Sequence, residues 1–433
     1  MKIRSHDELI RAVLKAYAVC VPILYLPLGG AAVSFVDLAA PFALVYLALR
    51  GLSSLNYIYV IFLLYAAVAV LSVILSPLRT AGFLELLLAA RLVFISLPFW
   101  LAAALGELDD EDVHGLYRAL LIGAALGVVS GLVLHYLGIT VREEQQSFRI
   151  GRPGVGAEEI YRAGGVVGGT SAYGQITAIF GILLFMASRV GVPLGLPLRV
   201  VGWATVGLAF LVSSSRGGMA MLLAALIVIA VLRPRMLPGF LGIVVAGVIT
   251  VIGVVTLVGS PEQQAFLWLS IERLDILNLT GESRFGDTSR FDTWASLWTV
   301  AFDIPTFGLG YKLVQEHFGV VIDNSFIFAW LETGLVGFIL FILFWLVVSW
   351  RLFVDYLAHG SPLVQTALGM CAGFVVIMQT FGAHTTWSGA PLVFMLLGLG
   401  VREGVMRRRE ADAGPDDAED VETDDRGAPV PAE

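Results

Sequence analysis

Long apolar stretches, each broken by a short polar turn, run along most of this chain. Twelve of them stand out, at about 12–29, 31–49, 55–76, 83–105, 117–138, 171–189, 194–214, 217–233, 239–258, 326–348, 363–384 and 388–401. Most approach the roughly 20 apolar residues that cross a bilayer as a helix. Several contain Gly or Pro, which membrane helices tolerate when neighbours satisfy the freed backbone. The pattern predicts an all-α integral membrane protein of about 12 transmembrane helices, with a large outer loop between spans 9 and 10. Residues 1–405 form the polytopic domain, with outer loops 139–170 and 259–325. The start of the chain also resembles a signal peptide: a polar, basic lead, an apolar run and then small residues. Its lead is long and contains acids, so the reading is an uncleaved first helix.

Composition agrees with this pattern. The 433 residues are 58% hydrophobic and only 14% charged, with a mean hydropathy of +0.84. Soluble domains carry about 25% charged residues. The net charge of −8 is mostly local, because from Arg402 onward eleven acids face five arginines. Residues 406–433 read as a disordered acidic cytoplasmic tail. No basic surface suggests nucleic acid as a partner. Cys20 and Cys371 lie in apolar runs and read as small buried residues. Basic residues assign sidedness. Lys2, Arg50, Arg118, Arg189, Arg233, Arg351 and Arg407 to Arg409 fall on one side if both termini are cytoplasmic. That expectation puts the protein in the plasma membrane as a multi-pass chain with its site facing outward.

The chemistry gathers on that outer side. Ser213-Ser214-Ser215-Arg216-Gly217-Gly218 sits at a hairpin tip between two spans. An arginine at membrane depth is costly unless paired, and its planar fork suits phosphate oxygens. The bland reading is a polar turn with an interfacial arginine. Arg91 lies inside the fourth span and should face the bundle interior, either for function or as a partner of Glu85 or a backbone carbonyl. The 139–170 loop carries Arg142, Arg149, Arg152 and Arg162, and is either an exposed loop or a wall of a polar cavity. In the 259–325 loop, Ser289 and Asp292 mark a helix start with Arg290 in its first turn. Phe291, Trp294, Ala295, Trp298 and Phe302 follow at helical spacing, and Pro305 closes the segment. His317, Asp323 and Asn324 come just before the tenth span. The acidic run Asp109 to Asp112 reads as a solvated turn on the opposite side. No metal and no cofactor is expected.

Taken together, these motifs resemble the O-antigen ligase and polymerase family of membrane glycosyltransferases. The resemblance rests on Ser213 to Gly218, on Arg290 with Trp294, and on Asp303-Ile304-Pro305-Thr306-Phe307-Gly308-Leu309-Gly310. Asp323-Asn324-Ser325-Phe326 and Leu331-Glu332-Thr333-Gly334-Leu335-Val336-Gly337 complete it. It implies transfer of a glycan from a polyprenyl diphosphate carrier to an acceptor sugar hydroxyl on a glycan or glycolipid, at the outer face. It also implies that Arg216 and Arg290 contact the diphosphate, with Arg91 as a third cation. Ser215, Asn324 and Glu332 would support the site. Ligases of the family carry histidine directly before this asparagine, whereas this chain has Asp323 there and His317 six residues earlier. Both are candidates to activate the acceptor, and Asp323 has a second reading as a helix cap. A metal-independent mechanism follows, because fixed cations suffice to hold a diphosphate leaving group. A transporter or flippase is the alternative reading, and an assembly partner without transferase activity is a third.

Overall fold

The computed structural model describes residues 2–28, 31–38, 56–78, 82–106, 108–139, 147–150, 158–166, 169–236, 290–319, 324–380, 382–386 and 388–412, with isolated positions in 238–256. The body is helical. Its elements are α1 (Lys2–Cys20), α2 (Tyr57–Ile74), α3 (Phe83–Ala103), α4 (Asp110–Tyr136), α5 (Thr170–Met186), α6 (Leu196–Ser213) and α7 (Arg216–Leu232). Then come α8 (Arg290–Ala301), α9 (Val314–Phe318), α10 (Ser325–His359), α11 (Pro362–Ile377) and α12 (Ala390–Asp412). Two small antiparallel hairpins join them: β1 (Tyr25–Leu28) with β2 (Ala31–Ser34), and β3 (Ser147–Ile150) with β4 (Glu158–Tyr161). Among the described residues, five helices, α2, α3, α4, α6 and α10, are long and apolar enough to cross a membrane; α5, α7 and α11 are shorter apolar helices.

Several boundaries differ from the sequence pattern, each for a local reason. The first span ends at Cys20, and the chain turns into the β1–β2 hairpin rather than staying helical to 29. The fifth begins earlier, because Asp109 caps α4 by accepting from the Asp112 amide at 2.7 Å. Its first turn holds three acids, which suit the positive end of a helix dipole. The span expected over 363–384 stops at Ile377, and the described residues from there to 389 form no α-helix, only one short 3-10 turn at Ala383–Thr385. The last helix runs on to Asp412, so the acidic tail begins later than 406, and 413–433 lies outside the described residues. So do 39–55 and 257–289, along with most of 239–258.

Helix α12 packs on α3, α11 on α7 and α12, and α10 on α2 and α11, while α4 and α5 close the bundle against α1, α6 and α7. Between lipid and helix there is little hydrophobic drive, so shape and close approach must hold helices together. Small residues supply that approach. Gly398 sits against the Phe99 carbonyl, Gly373 against the Met221 carbonyl and Gly123 against the Ala18 carbonyl. Aromatic rings fill the centre. Phe62 meets Phe344 at 4.9 Å and Phe394 at 5.1 Å, and Trp345 meets Phe374 at 5.3 Å. Large apolar side chains such as Leu64, Leu87, Val129, Val200, Val231, Ile339 and Leu346 point outward along the helices. That band is what a lipid-facing surface requires.

Charges lock one end of the bundle. Asp355, fully buried on α10, takes Arg351 at 2.9 Å and also Arg408 of α12. Glu403 takes Arg407 at 3.0 Å and the Ser361 hydroxyl at 3.2 Å. The candidate site lies at the other end.

The most constrained backbone point is Gly334, inside α10, with φ 66° and ψ −170°, a region essentially limited to glycine. A Cβ there would strike the Thr306 carbonyl. Gly334→Ala should therefore destabilise the protein by about 3 kcal/mol. Gly138→Ala, at φ 67° but in open space, should cost only about 1 kcal/mol. Thermal unfolding in detergent measures both, and equal losses would contradict the close-contact argument.

Candidate functional site

The Ser213-Ser214-Ser215-Arg216 turn is a designed helix break. Ser214 ends α6 in the left-handed conformation, φ 47° and ψ 39°. Ser215 then caps α7, its hydroxyl accepting from the Gly218 amide at 3.3 Å. A helix end leaves carbonyls without partners, and here Arg162 supplies them. Its Nε donates to the Ser213 carbonyl at 2.7 Å and an Nη to the Ser214 carbonyl at 2.9 Å. The Ala163 amide adds a bond to the Val212 carbonyl at 2.9 Å. Behind the turn, Gly174 of α5 lies against Ser215 and Gly218 so closely that neither glycine has room for a Cβ. This arrangement fixes Arg216 as the first residue of α7, exposed at the positive end of its helix.

A second wall, against α10, is built by Phe307-Gly308-Leu309-Gly310-Tyr311. The Leu309 and Gly310 amides bond to the Leu331 and Glu332 carbonyls at 2.9 and 3.0 Å. The Lys312 amide bonds to the Glu332 carboxylate at 2.9 Å. On its other flank, the Tyr311 amide donates to the Ser72 hydroxyl of α2 at 3.1 Å. Glycines at 308 and 334 let these two backbones touch, and the kink at Gly334 releases the carbonyls that the turn then uses. Glu332 is buried at 2% exposure, held by this turn. The Lys312 ammonium lies 5.4 Å above both the Tyr311 and Phe328 rings.

A third segment links the two walls. The Ser325 amide bonds to the Met378 carbonyl at 2.8 Å, and the Asn324 amide group meets Gln379 at 3.3 Å. Next along the chain, Thr380 packs against Gly217, where a Cβ would stand 2.5 Å from its hydroxyl. Ser215, Arg216, Asn324 and Glu332 thus share one end of the bundle. His317 is exposed on α9, which packs on α10. Arg290 opens α8, as the spacing predicts, and α8 also packs on α10. Trp298, Phe302 and Phe338 cluster there around Trp330, with Trp330 and Phe338 stacked at 4.7 Å. The Arg290 side chain, Ser289 and Asp323 lie outside the described residues. Asn324 itself caps α10, accepting from the Phe326 and Ile327 amides at 2.9 and 3.2 Å. The capping role considered for Asp323 is therefore filled by its neighbour.

Arg91 has a partner the sequence reading did not name. It bonds to Asp37 at 2.6 Å and to the Ser34 hydroxyl at 2.9 Å. Glu85, the expected partner, instead accepts from the Gly82 amide at the start of α3. The missed signal was Asp37 itself, a lone acid within an apolar run. Lys312, Gln175 and His384 also escaped a role, since none stands in a motif.

A family model described as O-Antigen ligase matches residues 201–342. The matched segment runs from α6 through the Arg216 turn and the glycine turn to just beyond the Gly334 kink. It contains Arg216, Arg290, His317, Asp323, Asn324 and Glu332 and leaves out Arg91. It bears out the resemblance drawn from the motifs. No curated protein matches the chain.

Replacing Arg162 removes two charge-assisted bonds at once. Arg162→Leu should destabilise the fold by about 3 kcal/mol, read as a fall in unfolding temperature of the purified protein. An unchanged temperature would show that the turn holds without it.

Proposed function

We propose that the protein is a glycosyltransferase of cell-surface polysaccharide assembly. It takes a glycan from a polyprenyl diphosphate carrier and passes it to an acceptor sugar hydroxyl at the outer face of the membrane. The observation that carries this reading is the pinned turn presenting Arg216 at a helix N-terminus, within a segment that matches the O-antigen ligase family. Both features favour an anion: the helix dipole and amides on one side, a planar cation on the other.

In this reading Arg216 and Arg290 bind the two phosphates. As the anomeric carbon–oxygen bond breaks, the electron pair stays on the diphosphate, and the arginines hold the growing charge. Arg91, held by Asp37, contributes a partly buried cation to the same half of the bundle. Ser215 and Asn324 keep the two helix ends in place. Glu332 braces the glycine turn through the Lys312 amide. The acceptor hydroxyl attacks the anomeric carbon and gives its proton to a base, either Asp323 or His317. Asp323 directly precedes Asn324 and stands at the position where ligases of the family carry histidine. No step in this scheme calls on a metal.

Lysine carries the charge of arginine without its fork. Arg216→Lys and Arg290→Lys should each lower transfer about a hundredfold, with lipid-linked glycan accumulating in cells. Near-normal transfer by both variants would refute the diphosphate clamp.

Asparagine at 323 keeps shape and hydrogen bonding but accepts no proton. Asp323→Asn should reduce transfer about a hundredfold or more at matched protein levels, and His317→Ala by less. Full activity in Asp323→Asn with loss in His317→Ala would move the base to His317.

A further inference from the structure

Residues 378–380, 382–386 and 388–389 form no regular α-helix. His384, near the middle of this segment, has its ring 4.8 Å from Phe341 and 6.3 Å from Tyr65. Tyr65 lies nine residues from the end of α2, about 13 Å along its axis. Non-helical backbone at such depth persists only where protein buries it or where it borders a polar space. The side chains around it are polar and fully buried. Gln175 and Ser388 are 0% exposed, and His384 is 2% exposed. Among the described residues, each keeps a polar atom with no partner: Gln175 Nε2, Ser388 Oγ and His384 Nδ1. Gln175 is joined to the segment that carries His384 and Ser388. Gln175 Oε1 accepts from the Thr386 hydroxyl at 2.8 Å, Gly389 packs on the Gln175 side chain, and His384 Nε2 meets the Tyr65 hydroxyl at 3.4 Å.

Three orphan groups within one buried cluster are costly in a dry interior, at about 1–3 kcal/mol each. Folded proteins rarely leave such groups unsatisfied. What meets them must be small or slender, neutral, and able both to donate and to accept. We infer that Gln175, His384, Thr386 and Ser388 form a binding site for hydroxyl groups, supplied by ordered water or by a sugar of the transferred glycan. The set is an amide, an imidazole and hydroxyls beside the aromatic rings of Tyr65 and Phe341. Neutral donors and acceptors of this kind fit hydroxyls better than a phosphate. The half-buried Thr385 and Thr386 mark its more open side. It sits directly under the Arg216 turn, since Gln175 follows Gly174, the residue on which Ser215 rests. The site itself stands on the orphan groups. Only the choice of sugar as its occupant rests on the transferase reading.

X-ray radiolysis of the full-length protein in native membranes, read by mass spectrometry, tests the site without any activity. Hydroxyl radicals form where water is held and mark adjacent rings. His384 and Tyr65 should be oxidised at least tenfold faster than Phe62 and Phe394, which lie in the dry aromatic core. Equal, background-level oxidation of all four would overturn the site. A second arm identifies the occupant, using Ser388→Ala and Gln175→Met with lipid-linked glycan extracted from the host as donor. A rise in KM of about tenfold with kcat retained assigns a sugar hydroxyl. Unchanged kinetics with persistent His384 labelling assigns water. If Arg216→Lys and Arg290→Lys both retain transfer while His384 is still labelled, the diphosphate clamp fails and the hydroxyl site stands.

Discussion

Inside a bilayer, a backbone group released from a helix finds no water to replace its lost bond. That constraint governs the candidate site, because the site is made of helix breaks. At Ser213 and Ser214 the released carbonyls go to Arg162. At Gly334 they go to the amides of Leu309 and Gly310. At Met378 the carbonyl goes to the Ser325 amide. Each break is satisfied by a segment distant in the chain, so each satisfaction also brings two distant segments together. The polar end of the bundle is thus assembled by the same bonds that make its breaks tolerable.

This explains why the opposite ends of the molecule use different chemistry. At the Asp355 end the helices continue unbroken, and ion pairs with Arg351 and Arg408 tie α10 to α12. At the site end, backbone bonds, glycine contacts and the Arg162 guanidinium on two carbonyls carry the structure. Two charged groups accompany these contacts: Arg216 on an exposed helix start, and Lys312 above two rings. Arg91 does not join that set freely. Its pairing with Asp37 follows from the cost of an unpaired cation at depth, and it shows how a membrane protein keeps a charge in its interior.

Much was legible from residue order alone. Apolar run length placed the helices, since a helix is the simplest way for one segment to satisfy its own backbone in lipid. Trp294 and Trp298 at helical spacing marked α8, whereas the cap before Ser325 was read as Asp323 and is Asn324. The motifs pointed to the glycan-transferase family, because glycines at 308, 310 and 334 and the Ser-Arg-Gly turn are demanded by local geometry. What residue order left open was every pairing between distant segments. Asp37 with Arg91, Arg162 with the Ser213 carbonyl, and Asn324 with Gln379 are not periodic and leave no spacing to read. The end of the eleventh span at Ile377 was hidden as well, because nothing in the run up to His384 forbids a helix. There His384 leaves the helix buried against Tyr65 and Phe341, and that burial is decided by the packed bundle.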